Sequence, residues 1–440
     1  MMKGRPGARP SGPAGPVRAG AAFGVAMGLV LVPAGEAGAQ TFRGLLPNDG
    51  GPLFRRDVAG NRSEPSFDRP PIYVGSFEVQ PSVGLSAAVD SNVYNQRDGQ
   101  ADVLLDLRPA LTVRRNLFPL DLSLDASGDL RRYADNQTEN RETYAVNLNA
   151  RYQLGYATQF GVSGAYAKFV ENRGDDGLGT GLAEPVHGST KSARAYAATG
   201  IGRVYLRLDG VLSRRDYRPV GLVEGGVLDL AYRNTEQATV TGQLGAPLGR
   251  NNVVFATVSY SKDRSPDAVP SMRRDARSYR ALVGLRGDLS NLVSAELSVG
   301  YVRQNFEVER YADFSGLTFN GAIDWYARPL LSFRLSAMQT MRNSGLAAVP
   351  AILERSGRLT AFYDPLPRLR VQASLSYAND QYRGIGVTAR KIEAGISSSF
   401  RLSERIYTNA SIGWRRQWGG DAVVQSYEGL LGQLGLRFVL

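Results

Sequence analysis

The chain has no cysteine, and one histidine, His187, among its 440 residues. The first absence excludes a disulfide framework, a thiolate metal site and a cysteine nucleophile. The second leaves little for catalysis at neutral pH, which usually recruits His as acid or base. His187 stands beside Gly188 in the longest expected loop, and nothing with metal-ligand spacing surrounds it. A solvated loop side chain is the expectation there. The Ser of Asp90-Ser91-Asn92 has no His near it in sequence. No G-x-S-x-G turn, phosphate loop or dinucleotide fingerprint occurs. A non-enzyme without cofactor is expected.

Long apolar runs are also missing beyond residue 35, so no transmembrane helix is expected there. The net charge is +11. However, the arginines are scattered singly and form no basic tail or patch, so nucleic acid is not an expected partner. The amino end reads as a processing segment. Lys3, Arg5, Arg9 and Arg18 precede the apolar stretch Ala19–Gly35, which is interrupted by Gly20, Gly24, Gly28 and Pro33. Ala37-Gly38-Ala39 supplies small residues for cleavage between Ala39 and Gln40. Cleavage removes four cations and Glu36, which lowers the net charge from +11 to +8. Residues 40–74 lack periodicity and carry Pro47, Pro52, Pro65, Pro70 and Pro71, as expected of a disordered periplasmic leader.

From residue 75 to residue 440 the texture is uniform. In Pro119–Tyr133, Leu120, Leu122, Leu124 and Leu130 share one parity, and Asp121, Asp125, Asp129 and Arg131 share the other. Leu369, Val371 and Leu375 likewise oppose Arg370, Gln372 and Ser374, and Ile406, Ala410, Ile412 and Trp414 oppose Tyr407, Asn409 and Arg415. Side chains on a strand alternate between faces, so each segment is a strand with one apolar and one polar face. Eighteen such segments can be counted, the first starting near Phe77, the sixth near Lys191, the eighth near Ala231 and the last near Gln425. Short connectors around Asn116, Gly155, Gly202, Pro247, Ser290, Pro329, Pro365 and Ser403 alternate with longer, more polar ones.

Strands of a soluble sandwich average about five or six residues, and these run to about twice that or more. A β-helix predicts a short fixed repeat, which is absent. Strand length, an even count and alternating connector lengths all fit an antiparallel up-and-down transmembrane barrel of about 18 strands. The apolar parity is then assigned to lipid and the charged parity to the lumen. Trp325, Tyr326, Trp414, Trp418 and Tyr301 are expected in the interfacial girdles. Leu434, Leu436, Phe438 and Leu440 share the lipid-facing parity of the final strand. That strand is expected to close against the first and to carry the signal read by the barrel-assembly machinery.

The first strands carry a family likeness. Phe77-x-Val79-x-Pro81-Ser82, Asp90-Ser91-Asn92-Val93-Tyr94 and Leu107-Arg108-Pro109 resemble the type 2 family of outer-membrane β-barrel porins of Gram-negative bacteria. The resemblance implies an outer-membrane barrel surrounded by lipid and lipopolysaccharide, without fixing its solute. Some similar barrels serve exopolysaccharide export with periplasmic partners.

The expected pore-lining residues are Asp121, Asp125, Asp129, Arg131, Arg207, Asp209, Arg215, Glu296, Arg334, Arg370 and Arg415. They read either as a selectivity surface or as mutual ion pairs along a wet wall. Passive passage of small hydrophilic solutes, with a lean towards anions, is the leading function. Two alternatives stand beside it. One is a polysaccharide conduit in which inward Tyr205 and Tyr407 stack sugar rings. The other is a structural or adhesive barrel plugged by residues 40–74 or by the loop 172–190. Association of several barrels is compatible with both.

Overall fold

The computed structural model describes residues 58–60, 71–155, 157–174, 181–249, 251–419 and 424–440. The expected signal segment, its cleavage site at Ala39 and Gln40, and most of the leader lie outside these residues. The strands are β1 (Ile72–Val74), β2 (Phe77–Asp90), β3 (Asp102–Leu117), β4 (Leu120–Tyr133), β5 (Arg141–Leu154), β6 (Thr158–Val170) and β7 (His187–Ile201). Then come β8 (Val204–Tyr217), β9 (Val220–Gly221), β10 (Val227–Leu228), β11 (Thr235–Pro247), β12 (Asn252–Arg264), β13 (Ala276–Ser290) and β14 (Val293–Phe306). The last are β15 (Phe314–Arg328), β16 (Leu331–Asn343), β17 (Ala351–Leu366), β18 (Leu369–Tyr382), β19 (Val387–Arg401), β20 (Ile406–Gly419) and β21 (Tyr427–Val439).

Eighteen of these form one closed antiparallel barrel, each pairing with its neighbour in sequence. β8 pairs with β11 across the small β9–β10 hairpin. Closure comes from β21 against β2, with Ser82 opposite Val439 and Asp90 opposite Leu431. The Leu440 amide also donates to the Pro81 carbonyl at 3.0 Å. A cylinder leaves no edge strand, so the ladder amides and carbonyls of its wall are paired within the protein.

Connectors alternate between the rims. One rim carries the tight turns 118–119, 202–203, 291–292, 329–330 and 367–368, and the other carries 91–101, 134–140, 218–234, 265–275, 307–313 and 344–350. Three local expectations need correction. His187 opens β7, paired with Val170, and so is not in a loop. Ile72–Val74 folds back on Phe77–Val79 as β1, a run too short to show periodicity. Tyr326 is buried on the inner parity, whereas its neighbour Trp325 is half exposed on the outer one. Adjacent strand residues cannot share a face.

The faces separate as alternation requires. On the outside, Val258 is 64% and Val283 59% exposed, while the inward Thr257 and Ser298 are buried. The inner wall also uses glycine to seat aromatic rings. Tyr196 faces Gly161, Phe169 faces Gly188 and Phe255 faces Gly284 in direct register. At each of these glycines a Cβ would overlap the ring opposite, so the rings lie flat along the wall. A Cβ at Gly164 on the same strand would meet nothing nearer than the Ser192 carbonyl oxygen at 4.0 Å, an ordinary contact. Gly161→Val is therefore expected to lower stability by about 1–3 kcal/mol through overpacking, with Gly164→Ala near neutral. Denaturant midpoints of the detergent-solubilised barrel check this.

Candidate functional site in the barrel lumen

The inner parity carries charge on nearly every strand, and pairing decides where that charge rests. Asp106, almost fully buried, accepts two bonds from Arg131 at 2.6 and 3.1 Å and one from Arg108 at 2.6 Å. Arg108 also reaches Asp129 at 3.3 Å. Arg415 binds both oxygens of Asp90 at 2.9 and 3.0 Å. Asp121 pairs with Arg151, and Asp125 accepts from Thr112 at 2.9 Å, with Arg114 at 3.9 Å. Arg194 and Arg207 share Asp209. Arg334 grips Asp324 at 2.6 and 2.9 Å. Glu296 lies 3.5 Å from Arg286, and Arg370 lies 3.4 Å from Asp364.

Ten of the eleven named residues are thus ion-paired, which is the arrangement a narrow wet wall requires. An unpaired charge in a partly dry lumen costs several kcal/mol. Arg215 is the exception. It lies 5.3 Å from the Phe169 ring centroid, and its Nε and Nη2 are buried with no acceptor among the described residues. The side chain of Arg280, which sequence reading did not single out, also makes no ion pair or hydrogen bond among the described residues. Arg280 and Arg215 both line a cavity of about 640 Å³.

One side of this cavity is a hydroxyl-rich strip on β11–β13, which also carries Asp263 and Arg280. There Thr239 and Ser261 bond at 2.9 Å and Thr241 donates to Ser259 at 3.0 Å. The other side is charged. Arg342 bridges Glu354 at 3.1 Å and Asp380 at 2.7 Å, with Lys391 3.9 Å from Asp380. Among the described residues no cluster of acidic or His side chains is placed to hold a metal ion. The wall can hydrate, orient and discriminate by charge.

Above the cavity the longer loops pack together. Arg233 binds Glu171 at 2.8 Å through two bonds and sits 4.1 Å from the Tyr217 ring centroid. Burial works against its charge, but Tyr217 and Glu171 outweigh it and hold its pKa above the ordinary arginine value. Loop 344–350 is held from three sides. Tyr232 donates to the Gly345 carbonyl at 2.5 Å, Arg274 to Ser344 at 2.6 Å, and Tyr311 to Ala347 at 3.1 Å. None of this has a periodic signal in the sequence. The inner-face partners Asp106, Arg108, Asp324 and Arg342, by contrast, lay on the polar parity and could have been found by extending it along each strand.

At the tight-turn rim a fragment of the preceding chain touches the inner wall. Ala59 is buried, and its carbonyl accepts from Ser332 Oγ at 2.8 Å. The Gly60 amide donates to Asp364 at 3.0 Å. Gly60 has φ +87°, and a Cβ there would stand 2.9 Å from the Phe362 ring.

No curated protein sequence matches the chain. Among solved structures it is similar to OccK1 (OpdK) of Pseudomonas aeruginosa, at 11% identity and TM-score 0.44, covering 82% of this chain and 98% of that one. OccK2 (OpdF) of the same organism matches at 11% identity and TM-score 0.45, with the same coverage. The ferric-catecholate import receptor Fiu of E. coli K12 matches at 9% and 0.44, covering 82% of this chain and 81% of that one. These scores are too low to transfer a pore size, a solute or a mechanism. The sequence profile described as "Putative beta-barrel porin 2" matches residues 64–439, which is most of the chain, and the protein belongs to that family.

Proposed function

We propose that the protein is a channel of the outer membrane of a Gram-negative bacterium, admitting small hydrophilic solutes without covalent chemistry. The observation that carries this reading is a closed barrel, apolar outside, whose inner wall surrounds a cavity with ion pairs and hydroxyls. Most lumen charges cancel in pairs, so selectivity falls to those that do not. Arg215 and Arg280 supply positive charge on the cavity wall without a carboxylate partner among the described residues, which favours anions. The paired Arg334 and Arg370 hold the wall together. Replacing either would strand Asp324 or Asp364.

The lipid-facing Leu434, Leu436, Phe438 and Leu440 are the proposed signal for assembly machinery, and Ala39–Gln40 the proposed cleavage site. Stacking of sugars on Tyr407 has less support, since the Arg401 guanidinium already lies 5.2 Å from its ring centroid. The contacts of Ala59 and Gly60 support a narrowing of the tight-turn mouth by the chain that precedes the barrel.

Two measurements test these assignments in planar bilayers with the purified mature chain. Arg215→Glu combined with Arg280→Glu is expected to move the reversal potential in a salt gradient towards cation preference. Unchanged potentials count against selectivity at these two positions. Deleting residues 40–60 is expected to raise single-channel conductance, and equal conductance would remove the narrowing. A mature chain that inserts but never conducts would sink the channel itself.

A further inference from the structure

The outer surface of three adjacent strands repeats one vertical order near the long-loop rim. On β12 it runs Lys262, Tyr260, Val258, on β13 Arg277, Tyr279, Ala281, Val283, and on β14 Arg303, Tyr301, Val299. Tyr260 and Tyr279 are register partners with ring centroids 5.2 Å apart, and Tyr279 and Tyr301 are each 50% exposed. Tyrosines at this height mark a membrane–water boundary, with the valines below them in hydrocarbon. The cations therefore stand at headgroup level, outside the lumen.

Their pairing is unfavourable within the protein. Lys262 lies directly opposite Arg277, and like charges in register repel. Arg303 sits on the next strand, diagonal to Arg277. Arg277 has one exposed carboxylate neighbour, Glu307 at 3.1 Å, and Arg303 bonds Asn305 at 3.0 Å. Lys262 has no carboxylate partner among the described residues. Arg264, one rung nearer the rim, faces Glu236.

The motif recurs around the same rim. Lys168 and Lys191 are register partners of the Tyr144 and Tyr166 ring pair, and Arg390 and Arg416 flank Tyr377 and Trp418. The stacked Trp325–Phe333 pair near the tight-turn rim has Val293 and Ala361 as its outer register partners. No cation stands in register with that pair.

We infer that Lys262, Arg277 and Arg303 form a lipid site that takes the phosphates of a phosphorylated glycolipid in the leaflet facing the long loops. Its acyl chains run down over Val258, Val283 and Val299. Multiple phosphate oxygens answer three converging cations through charge-assisted bonds and relieve the Lys262–Arg277 repulsion. This inference rests on the outer-membrane reading above and not on which solute passes.

The test is native mass spectrometry of the full mature barrel in neutral detergent, titrated with bisphosphoryl lipid A or its dephosphorylated form. The wild type is expected to prefer the phosphorylated lipid at least tenfold, from roughly fivefold per cation. Lys262→Gln with Arg277→Gln and Arg303→Gln abolishes the preference, and the Lys262→Arg, Arg277→Lys, Arg303→Lys variant keeps it. Should the triple Gln variant not fold, Lys262→Gln alone is expected to lose roughly fivefold. Inorganic phosphate is expected to compete poorly, and full competition at equal concentration would mean a free-anion site and overturn the lipid assignment. No preference in the wild type, or a preference retained by the Gln variants, overturns it too. A preparation that conducts in bilayers yet shows no phosphate preference refutes this inference alone and leaves the channel reading intact.

Discussion

The constraint beneath everything else is the pairing of backbone amides and carbonyls where no water can reach them. In hydrocarbon each unpaired group costs several kcal/mol. A sheet meets that demand only by closing, and β21 against β2 is the closure. Closure in turn makes alternation meaningful, because every strand then has one side in lipid and one in the bore. The apolar stripes, the charged interior and the division of connectors between two rims are consequences of that single cylinder.

Inside, the problem changes from hydrogen bonds to charge. Asp106 serves two arginines and Asp209 serves two more, so the wall is built from small neutralised clusters. Such clusters fix long side chains against the wall and keep them out of the bore. Rings that lie flat over Gly161, Gly188 and Gly284 do the same with apolar bulk. Against this neutralised background Arg215 and Arg280, which have no carboxylate partner among the described residues, weigh more than their number suggests, since a field is felt where it is not cancelled.

The strand count and most faces were legible because period-two patterning survives in almost every strand. Strand starts were less so. β7 opens at His187 and β11 at Thr235, four residues from the starts near Lys191 and Ala231 that composition suggested. Pro185 and Gly188 interrupt the alternation at the start of β7, and a 3-10 turn at Ala231–Arg233 precedes β11. Placing Tyr326 with Trp325 in a girdle ignored the same parity that located the other residues. Which charge pairs with which was not legible, because Arg334 meets Asp324 only once the β15–β16 register is known. The meeting of Tyr232 with Gly345, 113 positions apart, has no local signature at all.

That last contact changes how the exposed mouth behaves. Residues 344–350 are gripped at once by Tyr232, Arg274 and Tyr311, which come from three different connectors. They act as a keystone. A displacement of any one of those connectors is passed through this short loop to the other two, so the three are mechanically coupled.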